Sequence, residues 1–177
     1  MRELWTIGHS TRDMKDFIAL LKKHKIAILA DVRSLPGSNK YPQYNQENMV
    51  KDLENSGIAY RYMKDLGGLR KKNKHSHNTV WRNASFRNYA DYMETPEFEK
   101  AIKELVKIAV ENRTCICCAE AVWWRCHRSM IADYMKSKGW TVHHILSSKK
   151  TEEHPYTGPA QIIDSELVYG SGSEQSE

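Results

Sequence analysis

The chain has 177 residues, 40% of them hydrophobic, with 27 Lys and Arg against 22 Asp and Glu and a formal charge of +5. That length suits one compact domain that buries a core without metal or disulfide staples. The hydrophobic content and its periodicity exclude a disordered chain. No stretch approaches the roughly 18 uninterrupted apolar residues of a membrane span. Met1 to Trp5 opens no signal peptide. The expectation is a soluble, cytoplasmic protein with no membrane partner.

Strand-like and helix-like segments alternate along the chain. Leu4 to Ile7 reads as a short strand ending at Gly8-His9-Ser10-Thr11. Asp13 to Lys23 places Met14, Phe17, Ile18 and Leu21 on one helical face, with Ser10 or Thr11 as its cap. Ile26 to Val32 is a continuous apolar run of the kind a buried parallel strand shows. Gln46 to Asn55 reads as a helix stopped by Ser56-Gly57, and Ile58 to Met63 as a strand.

A helix is expected over Phe86 to Met93. A second starts at Thr95-Pro96-Glu97, with Thr as cap and Pro in the first turn. It carries Phe98, Ile102, Leu105, Val106 and Ala109 inward and ends near Asn112. Thr114 to Ala119 is a further buried strand, Ser129 to Lys138 a helix closed by Gly139, and Trp140 to Leu146 a last strand. This order predicts a three-layer, Rossmann-like α/β fold, a mostly parallel sheet with helices on both faces. Residues 1–150 would form the domain and 151–177 an acidic tail, with the last eight residues, from Gly170, disordered.

Charge is unevenly spread. Residues 152–177 hold six acids and no Lys or Arg, so residues 1–151 carry +11. Between Arg61 and Arg87, eight Lys and Arg face only Asp65 in a long polar connection. Arg70, Lys71, Lys72 and Lys74 suit a phosphate-contacting loop, and equally a solvated one. Cys115, Cys117 and Cys118 lie on one strand and Cys126 follows eight residues after Cys118. The neighbours on one strand cannot easily bridge each other, since a disulfide needs specific Cβ geometry. The expectation is reduced thiols, with no metal and no cofactor.

In an open parallel sheet the carboxyl ends of the strands share one edge, where α/β folds place ligands. Gly8-His9-Ser10, Asp31-Val32-Arg33 and Cys118-Ala119-Glu120 all end strands. Arg125-Cys126-His127-Arg128-Ser129 precedes a helix, where free N–H groups favour an anion and lower a thiol pKa. Trp123 and Trp124 stand beside it as possible stacking walls. Ser38 to Asn45 adds Tyr41 and Tyr44, which suit a flat heteroaromatic ring, and His154-Pro155-Tyr156-Thr157 is placed to fold back over the same edge.

Several of these segments together resemble the domain of unknown function 488 family over roughly residues 4–157. They are Thr6 to Thr11, Asp31-Val32-Arg33 with Pro36 and Ser38, Leu66-Gly67-Gly68, Phe86 to Met93, Cys118-Ala119-Glu120 and Cys126-His127-Arg128-Ser129. Trp123-Trp124-Arg125 departs from the small polar or acidic residues that relatives carry there. The resemblance implies a three-layer α/β domain with His9, Ser10, Asp31, Arg33, Cys118, Glu120, Cys126, His127 and Arg128 around one pocket. It also suggests a DNA-repair context.

Three functions fit these residues. The first is an enzyme on nucleic acid, DNA favoured, or on a nucleotide, most concretely a glycosylase that hydrolyses an N-glycosidic bond. Asp31 or Glu120 would then steady the oxocarbenium-like transition state, and Arg33 and Arg128 would grip phosphates. The second is a sulfurtransferase-like or phosphatase-like enzyme using Cys126 or Cys118 with His127 as partner; His9 is a further candidate catalytic residue at the strand edge. The third is a nucleotide- or RNA-binding module without catalysis.

Overall fold

Alternation of side chains along the strands decides the layering. A computed structural model describes residues 2–170. It has five parallel strands, β1 (Glu3–Gly8), β2 (Ile28–Asp31), β3 (Ala59–Tyr62), β4 (Thr114–Cys118) and β5 (Thr141–Ile145). Trp5 and Ile7 of β1, with Cys115 and Cys117 of β4, face one core. Leu4, Ile116 and Cys118 face the other. Strands so covered on both sides are mostly apolar, as β2 is up to its terminal Asp31, with every residue buried.

Helices α1 (Met14–Lys23) and α2 (Gln46–Asn55) close the first face through Phe17, Leu20, Leu21, Met49 and Leu53. Helices α3 (Ala84–Tyr92), α4 (Pro96–Glu111) and α5 (Arg128–Ser137) close the second. On α4 the buried residues Phe98, Ala101, Ile102, Leu105 and Ala109 keep the helical spacing read from the sequence. Thr95 caps α4, its Oγ1 accepting from the Phe98 N–H at 3.3 Å. Neither Ser10 nor Thr11 caps α1; Asp13 stands at that position and its side chain makes no capping bond. Ser10 instead has a φ of 52° and turns the chain out of β1.

The main sheet runs β3-β2-β4-β1-β5, extended by β6 (Thr151–Glu153), which pairs antiparallel with β5. Residues 151–170 are thus built onto the body as ordered structure. A hairpin of β7 (Gln161–Ile163) and β8 (Glu166–Val168) follows β6, and Tyr169 is buried in the second core. Of the eight residues from Gly170 expected to be disordered, only Gly170 falls among the described ones. The basic connection after β3 has one short turn, Lys64–Leu66, and is otherwise irregular up to α3.

Because β4 lies between β1 and β2, their carboxyl ends finish level. Gly8 pairs with Cys118 and Asp31 with Cys117. The ladder continues past the strands: the His9 N–H donates to the Cys118 carbonyl at 2.9 Å and the Ser10 N–H to the Ala119 carbonyl at 3.0 Å. This close approach requires glycine at position 8. A Cβ there would stand 1.7 Å from the Glu120 carbonyl oxygen and 2.9 Å from an Arg128 nitrogen. Gly8→Ala should therefore destabilise the fold by about 3 kcal/mol through overpacking against backbone. Urea denaturation measures this, and a change below about 0.5 kcal/mol would contradict it.

Candidate active site

Two adjoining cavities open at the level strand ends. The first, of about 330 Å³, is lined by Cys118, Cys126 and His127 together with Leu35, Phe86 and Glu120. The second, of about 360 Å³, is lined by His9, Ser10, Ser38, Tyr41 and Glu120 among others. Arg33, Leu35, Ala119 and Glu120 line both. The sheet edge thus brings together most of the residues expected there, though not in the roles expected.

Asp31 is fully buried, and its carboxylate is spent within the protein. It accepts from Arg33 Nε at 2.9 Å, Arg33 Nη2 at 2.8 Å, the Arg33 N–H at 3.1 Å and the Tyr60 hydroxyl at 2.5 Å. Burial by itself would lower the Arg33 pKa, but the Asp31 contacts override this and hold the guanidinium more firmly charged. Arg33 also donates to the Tyr44 carbonyl at 2.8 Å. The pair is an internal strut and not a water-activating carboxylate with a free phosphate grip. Glu120 is instead the carboxylate that lines both cavities, and it is exposed.

The thiols are arranged differently. Cys118 ends β4, and its Sγ lies 2.8 Å from Cys126 Sγ. Arg128, in the first turn of α5, has no exposed surface and donates from Nε to Cys118 Sγ at 3.0 Å. Its other donors reach Thr6 Oγ1 at 2.8 Å and the carbonyls of Glu120 and Ala121 at 2.8 and 3.1 Å. Among the described residues no carboxylate forms an ion pair with it. Burial alone would push the Cys118 thiol up. The Cys126 hydrogen bond and the Arg128 charge outweigh that and bring it below the ordinary cysteine range. Cys126 moves the other way: burial raises it well above that range, and the neighbouring Cys118 adds to the rise.

Both site histidines are uncharged near neutral pH. Burial lowers His127 to about 4, and its Nε2–H donates to the Val32 carbonyl at 2.9 Å. The lone pair on Nδ1 is then left facing Cys126 Sγ at 3.5 Å. A Cβ on Gly68 would come within 2.6 Å of that Nδ1, so glycine is needed for the ring to sit there. Burial likewise lowers His9 to about 4. Its ring stacks on Tyr44 at 4.0 Å, and Nε2 lies 3.4 Å from Arg33 Nη1.

Other expected residues are placed elsewhere. Tyr44 is fully buried and its hydroxyl donates to the Arg12 carbonyl, so it offers no surface to a ligand. Trp123 is also buried, stacked on His144 at 4.6 Å on the inner side of the loop. Trp124 is half exposed but lines neither cavity. The Arg128 donors are spent internally, and the Ser129 and Met130 N–H groups already bond Cys126 and His127 carbonyls, so the α5 start is not an open anion cradle.

In the basic connection, Arg70 lies over the Tyr92 ring at 3.6 Å and donates to the Gly67 carbonyl. Lys71 and Lys72 line a separate groove that meets the first cavity at Leu69, and Lys74 is exposed. His154 does fold back, but beneath the edge. It joins Thr6, His144, Asp133 and Tyr169 in a buried polar chain that the segment-by-segment reading of the sequence did not find. The one sequence clue was a His143-His144 doublet inside an otherwise apolar strand.

Among the described residues no helix is long and apolar enough to cross a membrane. The family described as "Domain of unknown function DUF488" matches residues 13–135, and the chain belongs to it. No curated protein and no solved structure matches the chain.

Two outcomes follow from this geometry. Asp31→Asn leaves Arg33 buried beside a neutral amide and should cost about 3–5 kcal/mol, read by urea denaturation; a loss below about 1 kcal/mol would show that the strut is dispensable. Iodoacetamide should label Cys118 well before the fully buried Cys115 and Cys117, as resolved by peptide mass. The labelling rate should rise with pH to a plateau, with a midpoint below the ordinary value of about 8.5.

Proposed function

We propose that this family member is an enzyme acting on a nucleotide or nucleic acid, with the Cys118 thiolate as its reacting group. One observation carries the reading. Among the described residues, a guanidinium with no exposed surface, Arg128, has Cys118 Sγ as its only directly bonded group that can become an anion. Buried charges are rarely left without a partner, because desolvation costs several kcal/mol per ion. An ionised Cys118 supplies that partner and is a nucleophile in the same stroke.

The second thiol at 2.8 Å favours sulfur transfer over phosphoryl transfer. The Cys118 thiolate takes the outer sulfur of a persulfide-type donor, forming an S–S bond while the donor leaves as a thiolate with the bonding pair. A nucleophilic acceptor in the cavity then attacks that outer sulfur, and the S–S bond breaks with its electron pair returning to Cys118 as the thiolate. Where the persulfide stalls, Cys126 passes its proton to His127 Nδ1 and attacks Cys118 Sγ. The outer sulfur leaves as hydrosulfide, and a Cys118–Cys126 disulfide remains for an external thiol to reduce. Nucleotide-type ligands fit the surroundings. Leu35, Leu69 and Phe86 offer apolar surface for a ring, Arg125 a cation at the wall, and Lys71 and Lys72 charge in the adjoining groove.

Glu120 favours a second reading, N-glycosidic hydrolysis of a modified base. It is the exposed carboxylate between both cavities, in the place where the buried Asp31 cannot serve. DNA held by the basic segment would be the partner in that case.

One set of variants separates the two. The protein is incubated with a sulfane-sulfur donor and candidate nucleotides, and in parallel with duplexes carrying modified bases, and products are followed. Sulfur transfer predicts one added sulfur on the Cys118 peptide and a loss of turnover of about 10²–10⁴-fold in Cys118→Ser, with Glu120→Gln largely active. Base release that survives Cys118→Ser and vanishes in Glu120→Gln would replace the first reading with the second.

A further inference from the structure

Behind the thiols runs a buried chain of polar groups that neither cavity touches. Arg128 Nη1 donates to Thr6 Oγ1 at 2.8 Å. Thr6 Oγ1 lies 2.6 Å from His144 Nδ1, His144 Nε2 lies 2.8 Å from His154 Nδ1, and His154 Nε2 lies 2.8 Å from Asp133 Oδ1. Asp133 also accepts from the Thr157 N–H, the Thr157 hydroxyl and the Tyr169 hydroxyl at 2.9, 2.5 and 2.8 Å. Thr6, Arg128, Asp133, His144 and His154 are each at most 1% exposed.

Elementary donor counting fixes the two ends of this chain. A carboxylate only accepts, so His154 gives Asp133 its Nε2–H. Burial first, and then the neighbouring His154 and Arg128, keep His144 neutral, with a pKa lowered to about 2. A guanidinium only donates, so Thr6 Oγ1 turns a lone pair to Arg128 and meets His144 Nδ1 on its other side. Bonds linked in this way polarise one another.

Trp123 holds the rings in register, stacked on His144 with planes 7° apart and edge-on to His154 at 5.1 Å. Thr6 and His144 sit on adjacent strands, whereas Asp133 is on α5, five residues beyond Arg128. The chain thus closes from α5 through the sheet and back onto α5.

We propose that Thr6, His144, His154 and Asp133 form a positioning relay that fixes the Arg128 guanidinium against Cys118 Sγ and so keeps that sulfur anionic. These residues touch no ligand and act only through Arg128. The groups bearing directly on Cys118 are Cys126 at its Sγ, Arg128 from α5 and the Glu120 carbonyl. His127 reaches it through Cys126. The relay's importance for turnover rests on the reading of Cys118 as the reacting group, but its effect on the thiol does not.

The test is the pH profile of Cys118 alkylation by iodoacetamide in the full chain, resolved by peptide mass, for wild type, Thr6→Val, Thr6→Ser and Asp133→Asn. Thr6→Val keeps the shape of the side chain and removes the lone pairs that orient Arg128. Its midpoint should move up toward about 8.5, slowing labelling at pH 7 by about tenfold. Thr6→Ser restores the hydroxyl and should keep the wild-type profile. Asp133→Asn should shift in the same direction as Thr6→Val. If it does not fold, as judged by circular dichroism, Thr6→Val decides alone. An unchanged midpoint in folded Thr6→Val overturns the relay, as does an equal shift in Thr6→Ser. Loss of sulfur transfer as the function would leave this thiol measurement standing, so the two failures are told apart.

Discussion

The contact on which the site depends is between a buried guanidinium and a sulfur atom. Arg128 links α5 to the ends of β1 and β4 at once, through Thr6, Cys118 and the carbonyls of Glu120 and Ala121. Hydrogen bonds from a charged donor contribute about 1.5–3 kcal/mol each. Several are needed to offset the desolvation of one buried arginine. None of these partners is a carboxylate, so neutrality in that part of the core is left to the thiol beside it and to the more distant Asp133.

Arg33 shows what the same side chain does when a carboxylate is at hand. It lies on β2's extension, pairs with Asp31 two residues back, and adds Tyr44 and Met49 as further partners, while Tyr60 donates to the same carboxylate. That arrangement is complete in itself and makes a rigid wall for both cavities. The two arginines start from the same burial problem, and the identity of the anion separates their roles. A carboxylate beside Arg33 gives a settled strut; a cysteine beside Arg128 gives an anion that can still form a bond.

Much of the fold could be read from the chain because period and punctuation agreed. The α4 stripe, the Thr95-Pro96 start, and the stops at Gly57 and Gly139, both at positive φ, all express local physics. The convergence of three strand ends followed from parallel order alone. The partition of roles did not. Whether Asp31 faces a cavity or its own Arg33 depends on a two-residue step at a strand end, and both directions look alike in sequence. The relay was hidden for a related reason. Its members lie at positions 6, 128, 133, 144 and 154 and meet only because β5 packs on β1 and the segment after β6 folds under α5. Residues after 150 looked like an acidic tail because short strands carry few periodic residues. Their charges are nevertheless used: Glu152 accepts from the Trp123 indole, and Glu166 pairs with Lys138.

Two cysteines at 2.8 Å cannot both be anions, since like charges so close are strongly disfavoured. The asymmetry around them settles which one ionises. Arg128 donates to Cys118, whereas the nearest ring nitrogen to Cys126 is an uncharged acceptor on His127. Cys126 therefore keeps its proton and donates it toward Cys118, stabilising the anion from the other side. Once Cys118 has formed a covalent bond its negative charge is gone, and with it the reason for Cys126 to hold its proton. The His127 lone pair is then the group positioned to accept it. Under the proposed sulfur transfer, the fixed donors and acceptors around the two sulfurs thus order them: Cys118 first, Cys126 only after Cys118 has formed its bond.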